Sequence, residues 1–236
     1  ESPLGVAHTG LSELDDAEKS DDATSIESGV DGFWHNVENP EEIHEDTIAT
    51  PWPSFDELLN GGVAKKRFYL FGAESGGGKS LAMLNCAEVA ARSGYKVAVF
   101  SLEMDAREIT NRLISSAGRF KYTRIQQRRI PDEAMAEVQA ITDELKRSAL
   151  TIYDQSNMSA QFIRQQCLAL KRAEGLDMVI VDYVQIVEAE DSKANREQQV
   201  GDVGKRMKLL AGEVDVAVLS ATQLNDNEQG NRPTMR

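Results

Sequence analysis

The sequence predicts an α/β fold in which a mainly parallel, twisted sheet is covered by helices on both faces. Short continuous apolar runs, typical of strands that are buried on both faces, alternate along the chain with longer segments of helical periodicity. A glycine-rich turn at residues 72–80 then joins one of these strands directly to the helix after it. Strands that alternate with helices form crossover units, so we expect a parallel sheet.

Five strands are predicted, at residues 68–71, 96–101, 150–153, 178–184 and 214–220. The run at 178–184, MVIVDYV, is predicted to be the most strongly buried of them. Helices are predicted for one or two turns at 55–59, from residue 79 to Gly94, from Asp105, from Pro131 to about residue 146, from Ser159, and across 200–210. The turn at 118–129 contains five basic residues, and we expect it to be a solvated surface, with contact to phosphate as the alternative.

The acidic residues are concentrated at the start of the chain. Residues 1–50 hold 14 acidic residues and one basic residue, whereas the rest of the chain holds 25 of each. Apolar residues near the N-terminus occur singly or in pairs, without sustained periodicity, and such a segment buries too little surface to fold alone. We therefore predict an acidic linker or docking arm at 1–49 and a net-neutral folded domain at 50–236, whose charge neither requires nor excludes nucleic acid.

Several classes of protein are disfavoured by composition. No run approaches the roughly 18 apolar residues of a membrane span, and no signal peptide is recognisable at the N-terminus. Cys86 and Cys167 fall in apolar helical patterns, as expected for buried thiols. The three histidines all lie in the acidic segment, where their spacing predicts no metal site. We expect a soluble, cytoplasmic protein with no membrane partner.

The stretch AESGGGKS follows the first predicted strand and opens a helix, which is the context of a phosphate-binding loop. Three glycines leave room for backbone N–H groups to face phosphate oxygens. Lys79 can reach the β- and γ-phosphates, and the Ser80 hydroxyl can bind Mg²⁺. The motif's usual first glycine is here Ala73. The predicted cofactors are ATP and Mg²⁺, and the predicted binding residues are Ala73, Glu74, Ser75, Gly76, Gly77, Gly78, Lys79, Ser80 and Leu81.

Three further polar residues lie at the carboxyl ends of predicted strands, where ligands of such sheets bind. Asp182 ends its strand as a magnesium-positioning aspartate does. Its neighbour is Tyr183 rather than a glutamate, so the residue that activates the attacking water must come from elsewhere. We predict Glu103 for this role, with a helix-entry acid stabilised by the helix dipole as the alternative. Gln223 is placed to read the γ-phosphate.

The run AESGGGKS, then FSLEM, IVDYVQ and TQLN, closely resembles the ATPase domain of DnaB-type replicative helicases. The family often has an alanine at the first position of the loop, so Ala73 agrees with the resemblance. The segments NREQQV at 195–200 and RPTMR at 232–236 extend it, and the resemblance covers roughly residues 50–236.

The resemblance implies a RecA-like P-loop fold and a motor that couples ATP hydrolysis to 5′–3′ translocation on single-stranded DNA and duplex unwinding. It also implies a homo-hexamer with ATP sites at subunit interfaces, and primase and a helicase loader as partners. It assigns Lys79 and Ser80 to phosphate and Mg²⁺, Glu103 to water activation, Asp182 to Mg²⁺ and Gln223 to coupling.

Two departures from the family pattern leave other functions open. The family's N-terminal helical domain is not recognisable in residues 1–50, and its DNA-contacting loop and trans-acting arginine finger are expected after residue 236. We therefore expect the domain to be C-terminally incomplete and the isolated chain to be weakly active. The alternatives are a recombinase- or clock-type ATPase of the same fold and a nucleotide-binding assembly module without independent catalysis.

Overall fold

The computed structural model describes residues 25–40, 47–74, 76–183, 187 and 196–223. The chain divides into two compact units, Glu1–Glu45 and Asp46–Arg236. In the described ranges no helix is long and apolar enough to cross a membrane.

The first unit contains a helix, α1 (Ile26–Glu38), which the sequence analysis missed. Ser25 caps it by accepting a hydrogen bond from the Ser28 N–H at 3.1 Å. The apolar residues that seemed isolated in the sequence follow each other at spacings of three and four and so share one face. Its large apolar side chains are exposed: Ile26, Val30, Phe33, Trp34 and Val37. The role of the segment as a linker or arm stays a prediction.

The second unit begins with a small antiparallel pair, β1 (Thr47–Ile48) and β2 (Val63–Ala64), on either side of helix α2 (Pro53–Leu58). This helix begins two residues before the predicted turns because Pro53 suits a first helical turn. The Thr50 N–H donates to both carboxylate oxygens of Asp56, at 3.0 Å each. These hydrogen bonds attach the start of the unit to α2.

A five-stranded parallel sheet forms the centre of this unit, in the order β3-β7-β6-β4-β5. Its strands are β3 (Phe68–Ala73), β4 (Val97–Ser101), β5 (Leu150–Tyr153), β6 (Met178–Asp182) and β7 (Ala217–Gln223). The predicted mainly parallel sheet is confirmed.

Helices cover both faces of the sheet. They are α3 (Lys79–Arg92), α4 (Ala106–Ala117), α5 (Tyr122–Gln126), α6 (Asp132–Arg147), α7 (Ala160–Ala173) and α8 (Arg196–Val214). Alternate residues of each strand point to opposite faces. Val97 and Val99 therefore belong to the core beneath α3 and α4. Ala98 and Phe100, from the same strand, belong to the core beneath α7 and α8.

Several predicted boundaries were displaced, and the segment predicted as a turn at 118–129 contains the short helix α5. Strand β7 begins at Ala217, three residues later than predicted, because α8 continues to Val214 and Asp215 then adopts a left-handed φ of 55°. Strand β6 ends at Asp182, before the predicted end at residue 184, which lies outside the described residues. Pro131 is the N-cap of α6 rather than its first helical residue, since its ψ of 147° is extended.

Candidate active site

The predicted site residues meet at one edge of the sheet. The register pairs Ala73 at the end of β3 with Gln223 at the end of β7, and Ser101 at the end of β4 with Asp182 at the end of β6. Because these strands are parallel, their carboxyl ends border a single cleft of about 510 Å³. The cleft is lined by Gly76, Gly77, Gly78, Lys79, Ser80, Leu81, Glu103, Met104, Glu108, Arg112, Tyr183 and Gln223.

The loop at the floor of the cleft requires glycine for physical reasons. Gly76 and Gly78 have φ values of +73° and +79°, a region that side chains disfavour, and the space where their Cβ atoms would lie is open. At Gly77 a side chain is disfavoured by space rather than by φ, because a Cβ there would lie 2.9 Å from the Cβ of Ala73. Ala73 is the last residue of β3 and does not have a positive φ. An alanine is therefore tolerated where the motif usually has a glycine.

Helix α3 presents uncapped backbone N–H groups to the cleft. Its N-cap is Gly78, which supplies no side-chain hydrogen bond to the first turn. Such groups need an acceptor, and a phosphate is a suitable one. Lys79 Nζ donates hydrogen bonds to the carbonyl oxygens of Ala73 at 3.0 Å and Glu74 at 2.9 Å, which holds its charge over the loop. The predicted binding residue Ser75 lies outside the described residues.

Asp182 is the most unusual group in the site. Its side chain is 3% exposed, and neither carboxylate oxygen has a hydrogen-bond partner among the residues that the structure describes. Burial raises the pKa of this carboxyl, and the charge of Glu103 raises it further. The Ser80 hydroxyl, Lys79 and Arg112 oppose this effect, although the Ser80 hydroxyl falls short of hydrogen-bond geometry to either oxygen. A buried carboxylate without a partner is a group that a cation would stabilise.

Glu103 is held at the rim of the cleft by a short turn after β4. The Ser101 hydroxyl donates to the Met104 carbonyl at 2.8 Å and accepts from the Met104 N–H at 3.0 Å. The Leu102 N–H donates to the Asp182 carbonyl at 3.0 Å, which joins this turn to the end of β6. The turn leaves the Glu103 carboxylate exposed on the cleft side.

Gln223 and Leu81 complete the predicted set. Gln223 is the exposed last residue of β7, rather than a residue just beyond the strand as predicted. Leu81 is 42% exposed and borders the cleft from the first turn of α3. Of the predicted residues, the structure brings together Gly76 to Leu81, Glu103 and Gln223 as lining residues, and it places Asp182 beneath them.

Sequence reasoning missed the contribution of α4. Asp105 caps the predicted helix start by accepting a hydrogen bond from the Glu108 N–H at 2.7 Å. The Glu108 carboxylate, however, accepts hydrogen bonds from Arg112 at 2.7 and 3.1 Å and lines the cleft with it. The sequence signal was an acid and a base four residues apart, which predicts a helical pair but not the cavity it faces.

Comparison with known families supports the arrangement. The family model described as the DnaB-like helicase C-terminal domain matches residues 47–236. The chain belongs to this family. The resemblance predicted from the sequence is confirmed, and so is the RecA-like fold.

Curated proteins that are similar in sequence to this chain are named as replicative DNA helicases. Over 193 residues the chain is 30% identical to the replicative DNA helicase DnaB of Geobacillus stearothermophilus, which covers 80% of this chain and 42% of the relative. It is 29% identical over 208 residues to the replicative DNA helicase DnaC of Bacillus subtilis strain 168, covering 84% and 46%. The chain thus spans less than half the length of these relatives.

Two solved structures resemble the chain at 26% identity. One describes a DnaB-like replicative helicase and its interactions with primase; the TM-score is 0.76, with 99% of this chain and 57% of that chain covered. The other is the ATPase domain of G40P, with a TM-score of 0.74 and coverage of 86% and 72%.

Proposed function

We propose that the cleft binds ATP with Mg²⁺ and hydrolyses it, and that this domain is the motor of a replicative DNA helicase. The observation that carries the proposal is the Asp182 carboxylate beside the phosphate-binding loop, which is buried and has no hydrogen-bond partner within the described part of the chain. Burial of such a group is unfavourable when it is ionised, and a bound cation stabilises it.

The residues present fit Mg²⁺. This ion keeps several waters and takes few protein ligands in nucleotide sites, so one hydroxyl and one carboxylate are sufficient. We assign these to Ser80 and Asp182. Across the described residues no group of three or more His, Cys, Asp and Glu side chains could hold a metal alone, which agrees with a metal that arrives with its nucleotide. When bound, the ion neutralises charge on the transferred phosphoryl group.

The loop and Lys79 are assigned to the phosphates. The loop residues from Gly76 to Ser80 line the cleft, and the space at the Cβ positions of Gly76 and Gly78 is open. Lys79 Nζ donates to two loop carbonyls at 3.0 and 2.9 Å, so it lies above the loop as a compact charge. These donors orient the phosphates by hydrogen bonds and charge rather than by covalent chemistry.

Glu103 is assigned to the attacking water. Its carboxylate is exposed at the rim of the cleft, and Arg112 and Lys79 are the cations that border the same space. An ionised carboxylate in this position can accept a proton from water or orient it toward the phosphate. Gln223 carries no titratable group, and at the edge of the cleft it is assigned to coupling nucleotide state to DNA.

At the level of the whole protein we propose a homo-hexamer that translocates 5′–3′ on single-stranded DNA and unwinds duplexes, with primase and a helicase loader as partners. Family membership and the relatives named as replicative helicases support this proposal.

The test is ATP turnover and strand displacement on a forked DNA substrate, measured in the presence of Mg²⁺ and after its removal by EDTA. Magnesium-dependent turnover with unwinding supports the motor. Turnover without strand displacement would favour the recombinase- or clock-type ATPase, and nucleotide binding without turnover would favour an assembly module.

A further inference from the structure

A group of basic side chains surrounds the short helix α5. This group, the basic surface, consists of Arg119, Lys121, Arg124, Arg128 and Arg129, and all five residues are exposed. The segment 118–129 that holds them contains no acidic residue, whereas the chain beyond residue 50 holds 25 acidic and 25 basic residues. The basic surface is therefore a local excess of positive charge on a neutral domain. Such a local excess, rather than the net charge, is what attracts a polyanion.

Neighbouring carboxylates do not neutralise these charges. Within the described part of the chain, no residue of the basic surface takes part in an ion pair. Exposed cations elsewhere in the same unit are paired, for example Arg107 with Asp105 at 3.5 Å and Lys146 with Asp143 at 3.2 Å. The charges around α5 are thus available to phosphate groups, which bind cations with release of counterions.

The backbone holds the basic surface in a fixed shape. Ile125 is 5% exposed and anchors α5 in the unit. Before α5, the Phe120 N–H donates to the Ser115 carbonyl at 2.9 Å, and the Ser115 hydroxyl donates to the Phe120 carbonyl at 2.7 Å. After α5, the Arg129 N–H donates to the Arg124 carbonyl at 2.9 Å. Because the backbone is already ordered, binding a ligand here costs less conformational entropy.

Two hollows beside α5 combine an aromatic ring with a cation. One, of about 260 Å³, is bordered by Phe120 and Arg124, and the other, of about 380 Å³, is bordered by Tyr122 and Arg128. Both rings are half-buried, so each is held by packing and still borders its hollow. Proteins that bind single-stranded nucleic acid use this combination, in which cations follow the phosphates and aromatic rings stack on the bases.

Acidic side chains also border the hollows, but they leave the surface positive. They are Asp105, Glu108 and Glu133. The first two are already paired, with Arg107 at 3.5 Å and with Arg112 at 2.7 Å. One carboxylate without such a pair therefore faces the five cations of the basic surface.

We propose that the basic surface binds single-stranded nucleic acid, with phosphates on its cations and bases against Phe120 and Tyr122. This contact goes beyond the proposed motor function, whose DNA-contacting loop is expected after residue 236. It requires neither ATP nor Mg²⁺. An acidic protein segment is the other polyanion that five cations could attract, but it has no bases to stack on the rings, and so the aromatic lining favours nucleic acid.

The experiment is fluorescence anisotropy of a labelled 20-nucleotide oligo(dT), without ATP or Mg²⁺, with the wild type, R124Q/R128Q and R67Q/R172Q. The last variant is the matched control, because it removes two charges from exposed residues outside the basic surface. At 100 mM salt R124Q/R128Q should weaken binding by about 10–30-fold, and the control by less than about threefold. Between 50 and 200 mM salt the wild type should lose about 20–100-fold in affinity, as three to five phosphate contacts predict.

Two further ligands identify the polyanion. An abasic strand of the same length carries the same charges without bases, and it should bind at least about fivefold more weakly than oligo(dT). Polyglutamate of equal charge should be a poor competitor. Equal binding of the abasic strand would overturn the stacking on which the proposal depends, and displacement of oligo(dT) by polyglutamate at equal charge concentration would favour an acidic protein partner instead.

The charge variants locate the contact. Unchanged affinity in R124Q/R128Q, an equal loss in R67Q/R172Q, or failure of the wild type to bind oligo(dT) would overturn the proposal. ATP turnover is measured separately and does not enter this assay. Absence of turnover with normal oligo(dT) binding would therefore refute the proposed motor alone, and turnover without binding at the basic surface would refute this inference alone.

Discussion

Replacing Asp182 by asparagine should stabilise the nucleotide-free protein while removing its response to Mg²⁺. The carboxylate is buried at 3% exposure and has no hydrogen-bond partner among the described residues. Burial of an unpartnered ionised group costs several kcal/mol, whereas a neutral polar group in the same place costs about 1–3 kcal/mol. We therefore expect D182N to raise the free energy of unfolding by about 1–3 kcal/mol at pH 7. For a domain of this size that corresponds to a rise in Tm of about 2–12 °C.

The effect should depend on pH in a definite direction. Because burial raises the pKa of folded Asp182 above its ordinary value of 3.8, the folded protein holds this proton more tightly than the unfolded chain. Wild-type stability therefore falls as the pH rises from 3.8 through the raised folded-state pKa. D182N lacks this dependence. Its advantage in Tm should be largest at neutral pH and should shrink as the pH falls toward 3.8.

Asp177, the residue directly before the same strand, provides a matched control. Burial opposes its ionisation, but hydrogen bonds from the Lys96 N–H at 2.9 Å and from Lys65 at 2.9 Å outweigh this and lower the pKa of its carboxyl. Its stabilising contribution is present above 3.8 and is lost as the pH falls through the lowered pKa. D177N should therefore destabilise the protein by about 1–3 kcal/mol at pH 7, the opposite sign to D182N.

Thermal unfolding of the three proteins, with and without Mg²⁺ and AMP-PNP, tests this reasoning. Ligand should raise the Tm of the wild type and D177N by mass action, and it should raise that of D182N far less. A D182N protein that is less stable than the wild type at pH 7 without Mg²⁺ would refute the argument, because the carboxylate would then have favourable partners in the empty site.

Three substitutions test the other assigned roles. Lys79→Ala should weaken ATP binding and turnover together, and wild-type turnover would show that the loop is not the phosphate site. Glu103→Gln should retain AMP-PNP affinity but lower turnover by about 10²–10⁴-fold; turnover that survives in a protein that otherwise hydrolyses ATP would assign the base elsewhere. Gln223→Ala should leave nucleotide affinity nearly intact while reducing the stimulation of turnover by single-stranded DNA, and unchanged stimulation would contradict a coupling role.

The sheet and the phosphate-binding loop could be predicted because their signals are local. Strand β5 has the predicted bounds, and the loop residues follow their strand as a contiguous motif. Ser159 caps α7 as expected, with its hydroxyl accepting from the Phe162 N–H at 3.1 Å. Each of these features is set by residues within a few positions of each other, so the sequence contains the whole signal.

Features that depend on tertiary packing could not be predicted in the same way. The Glu108–Arg112 pair is visible as a helical spacing, but which side of α4 faces the cleft is decided by how α4 packs on α3, α5 and α6. The bounds of β7 are likewise set by the end of α8 and by pairing with β3. Helix α1 was missed for another reason: its apolar positions share a face, but they lie in a polar, acidic context where no residue of the helix is buried.

The position of Asp182 connects the fold to the proposed chemistry. Strand β6 lies between β7 and β4, so the end of the strand is enclosed from both sides. The Ser220 hydroxyl donates to the Val181 carbonyl, and the Leu102 N–H donates to the Asp182 carbonyl at 3.0 Å. These contacts fix the backbone that carries the carboxylate, whereas its oxygens accept no hydrogen bond from the residues that the structure describes. The sheet thus holds an ionisable group where burial disfavours its charge. A cation that binds together with a nucleotide relieves this unfavourable free energy, and the relief adds to the affinity for the cation.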